Sequence, residues 1–181
     1  MKALIGGSPC THWSIAQTKN RDMSKAVLIS IRPKWCQKIA NGEKTIEVRK
    51  KRPKSAPPFK CYIYCTQAKR PYEDFIETEY PKPQFYGGGK VIGEFVCDEI
   101  FDLPWGARIP SDIARGACLE PAEIHQYLGV SSGYGWHISN LKIYDAPLAL
   151  SEFIGLRTEP GSLELRVLER PPQSGCYVAE L

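Results

Sequence analysis

No stretch of this 181-residue chain approaches the roughly 18 consecutive apolar residues that a membrane-spanning helix needs. Its start lacks an uninterrupted apolar core behind the first lysine, so it does not read as a secretory signal. There are no internal repeats and no coiled-coil heptads. The triple glycine Gly87-Gly88-Gly89 lacks the lysine–hydroxyl ending and the following helix of a phosphate-binding loop. Seven cysteines is an odd count, at irregular spacings, which fits reduced thiols better than a disulfide framework. A cytoplasmic location, with no cofactor, no bound metal and no membrane partner, is therefore expected. The net charge of +4 is too small to require a nucleic-acid partner.

What is present suits one ordinary folded domain, with 43% apolar and 24% charged residues. The chain is organised around Gly42-Glu43-Lys44-Thr45-Ile46-Glu47-Val48-Arg49. Ile46 and Val48 alternate with Thr45, Glu47 and Arg49, which predicts a strand with one apolar and one polar face. On its own such a face is a solvated strand surface with an ion pair contributing about 0–1 kcal/mol. The flanks add to it. Upstream, 27–32 is a short apolar strand that runs into a helix over 33–41, with Pro33 at its first position and Gly42 as its stop. Downstream, six basic residues (Lys44, Arg49, Lys50, Lys51, Arg52 and Lys54) stand against one acid, Glu47. Such a cluster attracts phosphates, although charge alone fits a solubilising loop equally well.

Further along, 59–66 alternates as a strand, with Cys61, Ile63 and Cys65 on one face and Tyr62 and Tyr64 on the other. Cys61 and Cys65 lie about 13 Å apart along such a strand, too far to share one zinc ion. They read as buried free thiols. A long excursion over 67–88 is followed by one twisted strand over 90–103, in which Gly93 marks a bulge or a close backbone approach. An irregular segment is expected over 104–118. A short amphipathic helix over 120–129 puts Ile124, Tyr127 and Leu128 on its core face and His125 outside. A strand over 135–144 comes next, with Trp136 and Ile138 on one face and His137 and Ser139 on the other. A capped helical turn within 147–155, a variable segment with one strand over 158–169, and a last strand over 171–179 complete the chain. Short strands with two or three small helices predict a mostly β, α+β fold: a small antiparallel barrel with peripheral helices.

The strand–helix–Gly-x-Lys-x-x-Glu-x-Arg unit resembles the start of the ASCH domain family, relatives of the PUA RNA-binding fold. Gly42, Lys44, Glu47 and Arg49 match that signature residue by residue. The resemblance continues at Gly89–Phe95, Tyr134–Ile138 and Pro171–Tyr177, and so covers residues 26–181. It implies a PUA-like barrel whose signature strand lines a cleft for RNA or a single nucleobase. Residues 1–25 stand apart. Within 1–22, Leu4 to Ser14 resembles the nucleophile loop of cytosine-5 DNA methyltransferases, with Pro9 and Cys10 matching and Thr11 departing from the usual glutamine. The rest of such an enzyme is missing, so this appendage is expected to be a non-functional remnant.

In a cleft of this kind, Lys44, Lys50, Lys51 and Arg52 can hold phosphate. Thr45, Glu47 and Arg49 can bond base edges, and Trp35, Tyr62, Tyr64 or Trp136 can stack on a base. Two functions from different classes stay open. One is binding of RNA or a modified nucleoside or nucleotide. The other is hydrolysis of a modified nucleoside or of RNA, since some small ASCH proteins remove the acetyl group of N4-acetylcytidine and at least one is a ribonuclease. Lys44 and Glu47 are the candidate catalytic residues. In the amidohydrolase pattern the lysine of Gly-x-Lys is catalytic and a threonine stands where this chain has Glu47. With Glu47 beside it, Lys44 is expected to stay charged.

Overall fold

The computed structural model describes residues 24–67, 75–76, 85–159 and 162–181. The methyltransferase-like segment and most of the 67–88 excursion lie outside the described residues.

The first strand, β1 (Lys25–Ile31), ends where Pro33 fixes the opening of α1 (Pro33–Ala40). Gly42 follows the helix at φ +75°, a conformation that favours glycine, and its N–H bonds Ile39 O. The chain then enters β2 (Ile46–Arg49) and β3 (Phe59–Cys65). Two short strands, β4 (Phe75–Ile76) and β5 (Phe85–Tyr86), pair with each other before β6 (Lys90–Cys97) and β7 (Ile100–Leu103). Next come α2 (Ser111–Ala117), α3 (Pro121–Leu128), β8 (Gly133–His137) and β9 (Ser139–Ala149). A 3-10 turn over Leu150–Glu152 precedes the hairpin β10 (Ile154–Glu159) and β11 (Ser162–Val167), and β12 (Gly175–Ala179) closes the chain.

The strands form a seven-stranded sheet in the order β11-β10-β12-β1-β3-β6-β9 and a three-stranded sheet, β2-β8-β7. Two corrections to the expected barrel follow. The pairing of β1 with β3 is parallel, so the large sheet is mixed, and the described pairings leave β11 and β9 as its edges. The parallel pair arises because α1 and β2 carry the chain across from one strand to the next.

Three apolar clusters give the layering. Ala26, Leu28, Tyr62, Tyr64, Phe153 and Val178 cover one face of the large sheet. The other face carries Val27, Ile29, Ile31, Cys61, Ile63 and Cys65, packed under Cys36 and Ile39 of α1 and Trp136 and Ile138. The expected two faces of β3 are thus as read, and Cys61 and Cys65 are buried free thiols. Beyond the small sheet, Ile46, Val48 and Leu103 pack on Ile113, Ala117, Ile124 and Leu128 of α2 and α3.

The strand expected over 90–103 is two strands, because the chain turns at Asp98 and Glu99 from the large sheet into the small one. The strand expected over 135–144 divides likewise, after Trp136 and His137, where Ile138 N–H bonds Thr45 O. The segment over 104–118 contains the helix α2, and the segment over 158–169 belongs to a two-stranded hairpin. Gly93 sits at a register shift of β6, where an added Cβ would lie 2.4 Å from Lys142 O. Among the described residues no helix is long and apolar enough to cross a membrane.

Candidate functional site

The alternation in β2 is as read, but its polar face is nearly closed off from solvent. Ile46 and Val48 point to the helices, so Glu47 and Arg49 point back toward the large sheet and are 7% and 8% exposed. Arg49 Nη1 donates to Ser30 O of β1 at 3.2 Å and to Glu47 Oε1 at 3.3 Å. Its Nη2 donates to Ser174 Oγ at 2.7 Å and also to Ser174 O. One guanidinium thus joins β2, β1 and the approach to β12.

Lys44 is the most deeply buried of the three charges, at 2% exposed. Its ammonium donates to Ile46 O at 2.8 Å and to Ala117 O at 2.9 Å, and lies 3.5 Å from Glu47 Oε2. It also sits 5.1 Å from the centroid of Trp35. Ala117 is the last residue of α2, so Lys44 places a positive charge on the carbonyls that end that helix. Thr45 N–H bonds the neighbouring Gly116 O at 2.8 Å. Gly116 permits this approach: an added Cβ would stand 2.9 Å from the Ile46 and Thr45 side chains.

Burial lowers the pKa of Lys44, and Glu47 opposes part of that fall. The sequence reading set burial and Arg49 against the carboxylate and let the carboxylate decide. In the structure desolvation is the larger effect, because the lysine is buried against the end of α2, a helix that was not foreseen.

These three charges line a cleft of about 750 Å³ between α1, α3, β2 and the Gln173–Ser174 segment. Trp35 and Tyr127 contribute aromatic surface to it, and Arg32, Lys50 and Lys51 bring exposed positive charge. Lys50 Nζ lies 5.2 Å from the Tyr127 ring centroid. Of the residues proposed from sequence, Lys44, Glu47, Arg49, Lys50 and Lys51 therefore converge on one cleft, as does Trp35.

The remaining four do not line it. Thr45 is exposed and engaged through its backbone with α2. Arg52 pairs with Asp102 at 3.2 Å on the surface. Tyr64 packs in the cluster on the far face of the large sheet. Trp136 is core, edge-on to Phe59 at 5.6 Å, because it stands opposite Glu47 in register and faces inward. Tyr62, the other stacking candidate, is wholly buried beside Phe153. Tyr127 was the omission. Assigned to the core face of its helix, it is instead 45% exposed on the cleft.

No family model and no curated protein matches the chain. Solved structures do. The crystal structure of the ASCH protein from Zymomonas mobilis matches with a TM-score of 0.55 at 20% identity, over 84% of this chain and 86% of that one. Two mutants of the same protein match with TM-scores of 0.56 and 0.57, over 88% and 87% of their chains. The chain has the ASCH fold. At this identity the likeness speaks for the ASCH-like architecture, two sheets with small helices around them, and the chemistry rests on the residues themselves.

Proposed function

We propose that the cleft binds a single base, either within RNA or as a free modified nucleoside. The observation that carries this reading is the meeting of Trp35 and Tyr127 with the buried Lys44–Glu47–Arg49 network in one cleft open to solvent. The aromatic rings supply stacking surface. Glu47 supplies an acceptor for an exocyclic amine, and Arg32, Lys50 and Lys51 supply charge for phosphate. The resemblance of the signature strand and its flanks to ASCH and PUA proteins agrees with such a role.

Hydrolysis of an acylated nucleoside is the second reading, and the lowered pKa of Lys44 favours it. Its geometry weighs against it. The ammonium already spends its donors on Ile46 O, Ala117 O and Glu47, so attack on a substrate would first break the contacts that hold α2 on β2. Binding is the better fit.

The test is calorimetric titration of cytidine, N4-acetylcytidine and a short single-stranded RNA into wild type and Tyr127→Ala. Stacking on an aromatic ring contributes about 1–3 kcal/mol per base, so the variant should lose roughly 5- to 150-fold in affinity. Absence of binding by wild type, or an unchanged affinity in Tyr127→Ala, would sink the proposal. Hydrolysis of N4-acetylcytidine during the titration would favour the second reading.

A further inference from the structure

The sequence Ser162-Leu163-Glu164-Leu165-Arg166-Val167 alternates with a period of two, and as β11 it is an edge of the large sheet among the described residues. Edge strands usually carry charge or proline on their open side, because their free N–H and C=O groups invite further pairing. Here one face is bare of such protection. Leu163, Leu165 and Val167 are 48%, 49% and 49% exposed, and Ile154, opposite Val167 on β10, is 39% exposed. Four adjoining apolar side chains on one strand pair form a contiguous patch rather than scattered surface residues.

The other face of β11 carries Glu164 and Arg166. Glu164 stands opposite Arg157 of β10, whereas Arg166 stands opposite Gly155, with Glu169 at 3.7 Å on the exposed surface. This pattern is complementary to itself when reversed. In an antiparallel pairing centred on Leu165, Leu165 meets its own copy and Leu163 meets Val167 of the partner subunit. On the opposite face Glu164 meets Arg166 of the partner subunit. Sliding the register by one residue in either strand puts a charge against leucine. Sliding by two sets Glu164 against its copy or Arg166 against its copy. A single register therefore joins apolar to apolar and acid to base.

We propose that β11 pairs antiparallel with β11 of a second copy of this chain, forming a two-fold dimer through a continuous sheet. Such an interface is isologous, so each Glu164–Arg166 contact occurs twice. With only about five residue pairs it is small, so the association is of the weak, reversible kind. The patch lies on the hairpin β10–β11, apart from the cleft residues, so the dimer and the ligand-binding reading stand or fall separately.

The experiment is sedimentation equilibrium on the full chain over a concentration series reaching about 0.5 mM, with circular dichroism to verify folding. Wild type should show a monomer–dimer equilibrium. Leu165→Lys, at an exposed position on the two-fold axis, should leave only monomer. Glu164→Arg or Arg166→Glu alone should weaken the dimer by roughly tenfold or more, since each places like charges opposite one another twice. The double variant Glu164→Arg/Arg166→Glu should recover wild-type association. A monomeric wild type overturns the proposal, whether β11 stays bare or residues 1–23 cover it. So does a dimer indifferent to Leu165→Lys, or a double variant no better than the two single ones.

Discussion

Replacing Glu47 by glutamine keeps the shape of the site and removes the one negative charge between two buried cations. Breaking a buried ion pair typically costs about 3–5 kcal/mol, because the partner is left charged and desolvated. Two features place this case near the lower figure. Lys44 keeps its bonds to Ile46 O and Ala117 O, and Arg49 keeps Ser30 O and Ser174. Glu47 also holds the pKa of Lys44 up against burial, which bears on the pH dependence rather than on the loss at pH 7. A loss of about 3 kcal/mol at pH 7 is expected, a fall in melting temperature of roughly 6–12 °C for a domain of this size.

The proton makes the test sharper. In the variant the folded-state pKa of Lys44 falls further below the unfolded value of about 10.4. Below the folded pKa both states carry the charge and the penalty is complete. Above it the folded state has lost the proton that the unfolded state still binds, so stability rises with pH up to the unfolded value. The gap between variant and wild type should therefore narrow between pH 7 and about pH 9.5, followed by urea denaturation. A penalty below about 1 kcal/mol, or one that is constant or growing with pH, would refute a buried Lys44–Glu47–Arg49 network.

Two further outcomes follow from the fold and the basic run. Gly93→Ala should lower stability by at least about 2 kcal/mol by urea midpoint, because the new Cβ would meet the Lys142 carbonyl at 2.4 Å and backbone cannot swing aside. In single-stranded RNA binding, Lys50→Ser/Lys51→Ser should reduce the slope of log affinity against log salt by about 0.7–1.4, whereas Arg52→Ser, already paired to Asp102, should leave it nearly unchanged.

The elements with strong local signals were legible in the sequence. Pro33 and Gly42 bracket α1, Pro121 and Gly129 bracket α3, and the alternation of β3 assigns its two faces correctly. What failed had weak or misleading local signals. Helix α2 has Gly116 one residue from its end and closes on Cys118 at φ +54° rather than on a glycine. Its Ile113, Ala114 and Ala117 do fall at helical spacing, which was the available clue. For Tyr127, spacing put the ring beside Leu128, but a two-turn helix buries only a narrow arc, and Ile124 and Leu128 fill it.

The signature strand shows where reading by pattern stops. Alternation tells which side chains of β2 share a face; it does not tell what that face meets. A strand with charge on alternate residues normally has a wet side, and taken alone this strand reads that way; only the resemblance of its flanks pointed to a cleft. Here β2 lies between two layers, so the wet side became an interior. Charges can stay there only with partners, and besides Glu47 and the Ser174 hydroxyl those partners are main-chain carbonyls: Ile46 and Ala117 for Lys44, Ser30 and Ser174 for Arg49. A backbone carbonyl has no letter in the sequence. Only the packing of α2 and of the Ser174 segment brings those oxygens to the strand. The same contacts that make Lys44, Glu47 and Arg49 look like a reactive cluster are therefore what holds them still, which suits the proposed binding role better than a set of groups free to exchange protons with a substrate.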